Sequence, residues 1–259
     1  MVNGIYNMSD EDYRAAAGHN YSSVKHAAKS AAHYLEASKN PRPPTAAMLI
    51  GSCLDSLVLD GDKCWQAAED GIKAETKSGK ALERCRAGEL VLSPELDAML
   101  TGMARMVESH ADSKAVLRAC DQRKAAVFAE IDGCQCKGQL DAYGLGTDGR
   151  PIICDLKKIQ DATRFAQDVA KFQWHLQAGL YAELVRIITG VEPSFLWIAV
   201  EEKPPHGVIV YQATSETLAA GLAAFRRCLD TVRRAEALGE WAGYEPGIRE
   251  LNLPLWAMQ

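Results

Sequence analysis

The sequence predicts an α/β (α+β) fold in which a central mixed β-sheet is flanked by helices. Three observations lead there. Alanine-rich and apolar stretches with helical spacing fill the first half of the chain. From residue 125 the pattern changes to strand-like alternation broken by tight turns. The order of elements is then helices, three strands, a helix, two strands and a last helix. The 259 residues, 47% of them hydrophobic, suffice for one large core. No repeat or linker divides them, so residues 1–259 read as one domain with a helical N-terminal part (1–122) and a core (123–259).

The helical part opens with "SSVKHAAKSAAHYLEAS" (22–38), whose serines can cap a helix, and "PRPP" (41–44) stops it. "TAAMLIGSCLDSLVLDG" (45–61) is apolar on most sides, the mark of a buried helix, and "DKCWQAAE" continues locally. "SPELDAMLTGMARMVESHADSKAVLRAC" (93–120) is a long helical region in which Ser93 caps and Pro94 occupies the first turn. "AAVFAEIDGCQCKGQLDAYG" (125–144) alternates around the Asp-Gly pair at 132–133, a hairpin signal. A second turn, "LGTDGRP", leads to the short buried strand "IICDLKK" (152–158). A long amphipathic helix spans 161–189, strands follow at 194–202 and 208–213, and a last helix with a serine cap spans 215–241.

Composition excludes several classes. No run of 18 apolar residues exists, so no membrane span is expected. The polar, acidic start "MVNGIYNMSDEDY" lacks the features of a secretory leader, and a cytoplasmic protein is expected. The eight cysteines form no C-x-x-C pair and read as buried free thiols; only Cys134 and Cys136 are close, on one face of a strand. With 29 Lys and Arg against 34 Asp and Glu, the formal charge is −5. A nucleic-acid partner would therefore be met by a basic channel or patch, not a basic surface.

One strand carries the chemistry. Residues two apart share a face, so Ile153, Asp155 and Lys157 line one side of 152–158. The turn at 144–150 lets the preceding strand lie alongside, and Asp141 converges with Asp155. Alone, D-x-K reads as an ion pair at a strand end; Asp141 brings a metal site level with it. Two carboxylates beside a lysine suit metal-assisted phosphodiester hydrolysis, because hard oxygen ligands hold Mg²⁺ and a lysine can orient water or stabilise developing charge. Lys158 has the opposite parity. His175 reads as a surface or core histidine of its helix.

The order of helix, D…(D/E)-x-K on paired strands, and helix resembles the PD-(D/E)xK nuclease superfamily, and along nearly its whole length the chain resembles the RecE (exonuclease VIII) family of phage-type exodeoxyribonucleases. The resemblance rests on "GIYNMSDEDYRAAAGHNYSSVKHAAKSAAHY", "AAMLIGSCLDSLVLD", "CKGQLDAY", "IICDLKK", "WHLQAGLY" and the ending "LNLPLWAMQ". It implies a restriction-endonuclease-like core in which Asp141 and Asp155 bind Mg²⁺, with Mn²⁺ able to substitute, and Lys157 is the catalytic lysine. Gln177 and Tyr181, one helical turn apart, would face the site together. The family's first motif usually supplies a histidine where this chain has Asp55, which as a hard oxygen donor suits Mg²⁺. Glu130, near a position where family members often carry an acid, is a further candidate.

The resemblance also implies resection of linear double-stranded DNA ends in the 5′→3′ direction. The 3′ tails would pass to a single-strand annealing protein of the RecT kind, and the enzyme would be a homo-oligomer, a ring tetramer in this branch. Two basic stripes could track a phosphate backbone: Arg226, Arg227, Arg233 and Arg234 on the last helix, and Lys25 and Lys29 (with His26) near the N-terminus. The rival readings are a non-catalytic DNA-binding or recombinase-loading module with a decayed site, and an iron–sulfur nuclease, which would need clustered cysteines near the C-terminus.

Overall fold

A computed structural model describes residues 1–40, 43–67 and 90–253. One six-stranded mixed sheet organises them, with the order β1-β4-β5-β6-β7-β8. Its strands are β1 (Gly4–Tyr6), β4 (Gln122–Ile131), β5 (Cys134–Leu145), β6 (Pro151–Ile159), β7 (Ser194–Glu201) and β8 (Val208–Gln212). All neighbours are antiparallel except β6 and β7, which run parallel because a helical crossover joins them. A separate parallel pair consists of β2 (Trp65–Ala67) and β3 (Leu90–Leu92).

The helices are α1 (Asp10–Ala15), α2 (Tyr21–Val24), α3 (Ala31–Lys39), α4 (Ala46–Asp55), α5 (Pro94–Ser109), α6 (Ala111–Ala119), α7 (Phe165–Lys171), α8 (Trp174–Thr189) and α9 (Ser215–Leu238). They cover both faces of the sheet. On one face α2, α7, α8 and α9 pack over Val127, Leu140, Ile153 and Phe195. On the other, α4 and α5 pack over Ala142, Cys154, Leu156 and Ile198. Among the described residues no helix is long and apolar enough to cross a membrane.

The expected sheet and its helical cover are present, and the long helices are broken by local chemistry. Residues 22–38 divide into α2, a 3₁₀ turn at Lys25–Ala28, and α3; Asn20 and Ser30, not Ser22 and Ser23, accept the capping bonds. The 45–61 helix ends in a π turn at Ser56–Asp60 closed by Gly61 in the left-handed region. Trp65–Ala67 is strand instead of helix. Ser93 caps α5 and Pro94 stands in its first turn, as expected, but His110 ends that helix and caps α6. The 161–189 stretch breaks at Gln173, whose φ is 60°. Thr214, not Ser215, caps α9. The strand β1, too short to show a pattern, closes one sheet edge. Cys85 and the final "PLWAMQ" lie outside the described residues.

Glycine sets the closest helix crossing. A Cβ on Gly221 would stand 1.8 Å from the His175 carbonyl oxygen, and one on Gly179 would stand 2.2 Å from the Leu222 nitrogen. No side-chain rearrangement relieves a clash with backbone. Gly221→Ala is therefore expected to force α8 and α9 apart and cost about 1–3 kcal/mol of unfolding free energy, read as a lower urea midpoint with an unchanged slope.

Candidate functional site

The pairing of β5 with β6 runs only from Leu145↔Pro151 to Ala142↔Cys154. Beyond that point the strands part. β5 continues back to Cys134 beside β4, and β6 continues to Ile159 beside β7. Asp141 and Asp155 stand where they diverge. The freed edge of β5 does not go unpaired: the His19 amide donates to the Gln135 carbonyl (2.9 Å) and the Lys137 amide to the His19 carbonyl (2.8 Å).

A local break in the ladder turns Asp141 into this fork. Lys124 stands opposite it on β4 with φ 49°; neither residue is paired, and the register is the same on either side of them. The break shifts the strand's facing, since Leu140 and Tyr143 both join the cluster on the α8 side although three residues separate them. The Asp141 carboxylate then accepts from the Leu156 amide at 3.0 Å.

Asp155 is 1% exposed and pairs with Lys157 through Oδ2. Its Oδ1 accepts from Gln177 Nε2 at 3.1 Å, and Oδ2 lacks a hydrogen bond of good geometry. Burial pushes the Asp155 carboxyl up to about 7; Lys157 opposes the rise and Asp141 adds to it. Burial would lower the Lys157 ammonium, but Asp155 and Asp141 outweigh it and hold the lysine firmly charged. The Lys157 Nζ also lies 5.5 Å from the centre of the Trp174 ring.

Asp55 reaches the same place from the other side of the sheet, at the last residue of α4. Its carboxyl is held well above the ordinary range, first by burial, then by the charge of Asp141 against the opposing effect of Lys157. Asp55 thus lies within electrostatic reach of Asp141, Asp155 and Lys157. Lys124 ties this corner down: its Nζ pairs with Asp60 at 2.8 Å at the end of the π turn, and its charge also falls on Asp55.

Of the expected residues, Asp55, Asp141, Asp155, Lys157, Gln177 and Tyr181 are brought together. Tyr181 lies over β5, where a Cβ on Gly138 would come 2.5 Å from its ring. Burial raises its hydroxyl, with Gln177 moderating the rise. Lys25 also belongs here: burial and then Lys157 lower its ammonium, and it stands 4.7 Å over the Tyr21 ring. Lys29 is exposed one turn on.

Others lie elsewhere. Glu130 is exposed and sits six residues nearer the β4–β5 turn than Lys124, the residue opposite Asp141, roughly 20 Å along the strand. The arginine stripe gathers near that same turn and is largely engaged: Arg226 with Asp132 and Glu183, Arg233 and Arg234 with Asp230. Arg227 is exposed beside them. His175 bonds the Val169 carbonyl, and Lys158 pairs with Glu202. Cys134 and Cys136 share a face of β5, and burial raises both thiols. Sequence reasoning missed Lys124, Tyr21 and Trp174. Only Trp174 carried a signal, an aromatic one turn ahead of Gln177 and Ala178 in the "WHLQAGLY" stretch.

A cleft of about 890 Å³ opens beside this cluster between α4, β6 and α7. It is lined by Asp55, Lys157, Lys158, Arg164, Lys171 and Trp174, with Asp161 and Asp168 on its outer wall. Among the described residues no three His, Cys, Asp or Glu side chains stand as a ready-made metal cluster. The donors nonetheless suit a hard divalent cation: Asp141 and Asp155 stand together at the fork and Asp55 lines the adjoining cleft, all three with carboxylate oxygens.

Residues 20–247 match the model of a family described as "PDDEXK-like domain of unknown function (DUF3799)". No curated protein matches the chain. A solved chain from Eubacterium rectale described as "Putative exonuclease" superposes with a TM-score of 0.67 at 18% identity, over 98% of this chain and 97% of that one. That likeness is one of fold. A second solved chain, SSO0001, aligns over 53% of this chain and 58% of its own at 13% identity, with a TM-score of 0.32.

Gln177 is the single side-chain donor to Asp155 Oδ1 among the hydrogen bonds of the described residues. Gln177→Ala leaves a buried carboxylate oxygen without its donor and is expected to cost about 1–3 kcal/mol of stability, measured by urea unfolding.

Proposed function

The chain belongs to the PDDEXK-like domain family DUF3799, and on that premise we propose that it is a divalent-metal-dependent exodeoxyribonuclease acting on the ends of linear double-stranded DNA. The observation that carries this reading is the fork itself: Asp141 and Asp155 stand with Lys157 where the strands part, and Asp55 and Lys157 line the adjoining cleft. An ion pair serving stability alone would not need two further carboxylates, each raising the energy of the next.

The three aspartates would hold Mg²⁺, or Mn²⁺ in its place. When bound, the metal supplies charge neutralisation at the scissile phosphate and acidifies water. Lys157, charged and fixed by Asp155, orients the attacking water and stabilises charge developing on the phosphate. Gln177 keeps the Asp155 carboxylate aimed, and Tyr181 packs the helix against β5 where the strands part. Lys25, beside Lys157, contacts the phosphate backbone, with Lys29 extending that edge. The arginines of α9 contribute a more distant patch, chiefly through Arg227.

The resemblance to the RecE family supports the finer reading. The enzyme works 5′→3′, leaves 3′ single-stranded tails for a RecT-like annealing protein in recombination, and assembles as a ring tetramer in the cytoplasm. One observation favours the rival, a DNA-binding module without catalysis: Asp55 stands where the RecE family usually supplies a histidine.

Metal binding separates the two. A site filled at a hundred times its Kd adds about 2.7 kcal/mol of stability. Mg²⁺ is expected to raise the melting temperature of the natural protein and leave that of Asp155→Asn unmoved; equal shifts in both would remove the metal site. Activity is tested on linear duplex DNA labelled at one 5′ end, beside a circular duplex. Labelled mononucleotide should appear only from the linear substrate, only with Mg²⁺, and about 100-fold or more slowly with Lys157→Ala. Digestion of the circle would make the enzyme an endonuclease.

A further inference from the structure

Phe172 is a large apolar side chain left 46% exposed on the cleft lined by Asp55 and Lys157. It is presented by a fixed backbone. The next residue, Gln173, adopts φ 60°, a conformation costly for a side chain with a Cβ. The Phe172 carbonyl accepts from the buried Tyr21 hydroxyl at 2.7 Å, and its amide donates to the Asp168 carbonyl at 2.9 Å. A residue clamped at both backbone groups beside a strained neighbour is held outward by construction.

The ring has company on both sides. Lys171 Nζ lies 5.1 Å from its centre. The Trp174 ring lies 5.1 Å away at 33°, and Lys157 Nζ stands 5.5 Å over Trp174. An unbroken series therefore runs from the proposed catalytic lysine through two aromatic rings to a second ammonium at the rim. Aromatic faces flanked by cations are the chemistry that receives unstacked bases along a phosphate backbone.

We propose that Phe172, flanked by Lys171 and Trp174, is a stacking platform for an unpaired nucleobase of the strand whose phosphate lies at Lys157. This rests on the nuclease reading of the same cleft and adds to it a contact with a base. The platform accepts any base, because every base offers a π face. It favours a strand end that is already frayed over one held in duplex.

The test is binding without cleavage. Fluorescein-labelled single-stranded 10-mers are titrated in EDTA, with a tetrahydrofuran abasic site moved one position at a time. For the natural protein one abasic position is expected to weaken binding about tenfold. That penalty should vanish in Phe172→Ala, stay small in Phe172→Leu, and return in Phe172→Trp. Leu145→Ala, an exposed apolar residue on β5, should keep the full penalty. Oligonucleotide binding with the same abasic penalty in Phe172→Ala, or with no sensitive position in the natural protein, overturns the platform and leaves the nuclease reading standing. No binding of any 10-mer overturns the platform too, and the nuclease reading then stands or falls on the duplex digestion alone.

Discussion

The parting of β5 from β6 is the constraint on which the rest of this molecule depends. Two neighbouring strands that separate inside a sheet expose amides, carbonyls and a gap in the core, all of which are costly to leave unfilled. The gap is met from three directions. His19 supplies a short parallel bridge to β5. Tyr181 lays its ring where Gly138 has no side chain. Asp55 arrives from α4 on the far face of the sheet. Polar groups placed in such a gap are shielded from water yet reachable from the cleft, the setting in which charge acts most strongly.

Electrostatic tension follows. Asp155 is almost wholly buried, Asp141 raises the energy of both Asp155 and Asp55, and Lys157 is their shared counter-charge. A fold selected for stability alone would replace such a cluster by apolar side chains at little loss. The supports around it are correspondingly local and stiff: a left-handed residue at Lys124, a π turn after Asp55, a second left-handed residue at Gln173. Lys124 and Gln173 are two of the four non-glycine residues with positive φ among the described residues.

Much of this was legible in the sequence for physical reasons. Asp155 and Lys157 are two apart on a strand, and period-two alternation alone puts them on one face. Gln177 and Tyr181 are four apart on a helix, and the same kind of arithmetic pairs them. The mixed sheet followed from the order of its elements. What stayed hidden was whatever depends on broken periodicity. The left-handed backbone at Lys124 leaves no compositional trace, since lysine is a poor left-handed residue. The breaks at His110 and Gln173 occur without glycine or proline, so the helices read as continuous. Seven-residue spacing put the four arginines of α9 in line but could not show that Asp132, Glu183 and Asp230 had already engaged three of them.

The carboxylates are held by parts of the chain that belong to different hydrophobic cores. Asp55 comes with α4 and the cluster around Leu100 and Met103, whereas Gln177 and Tyr181 come with α8 and the cluster around Phe195 and Phe225. The sheet is the wall between them, and the fork is the opening in that wall. Competence at this corner is accordingly a joint property of both layers. If α4 lifts by a single turn, one carboxylate leaves while the sheet and α8 remain whole. Such a chain would still be folded by most spectroscopic measures and yet be silent, so the loosening of one peripheral helix is enough to disarm the molecule without unfolding it.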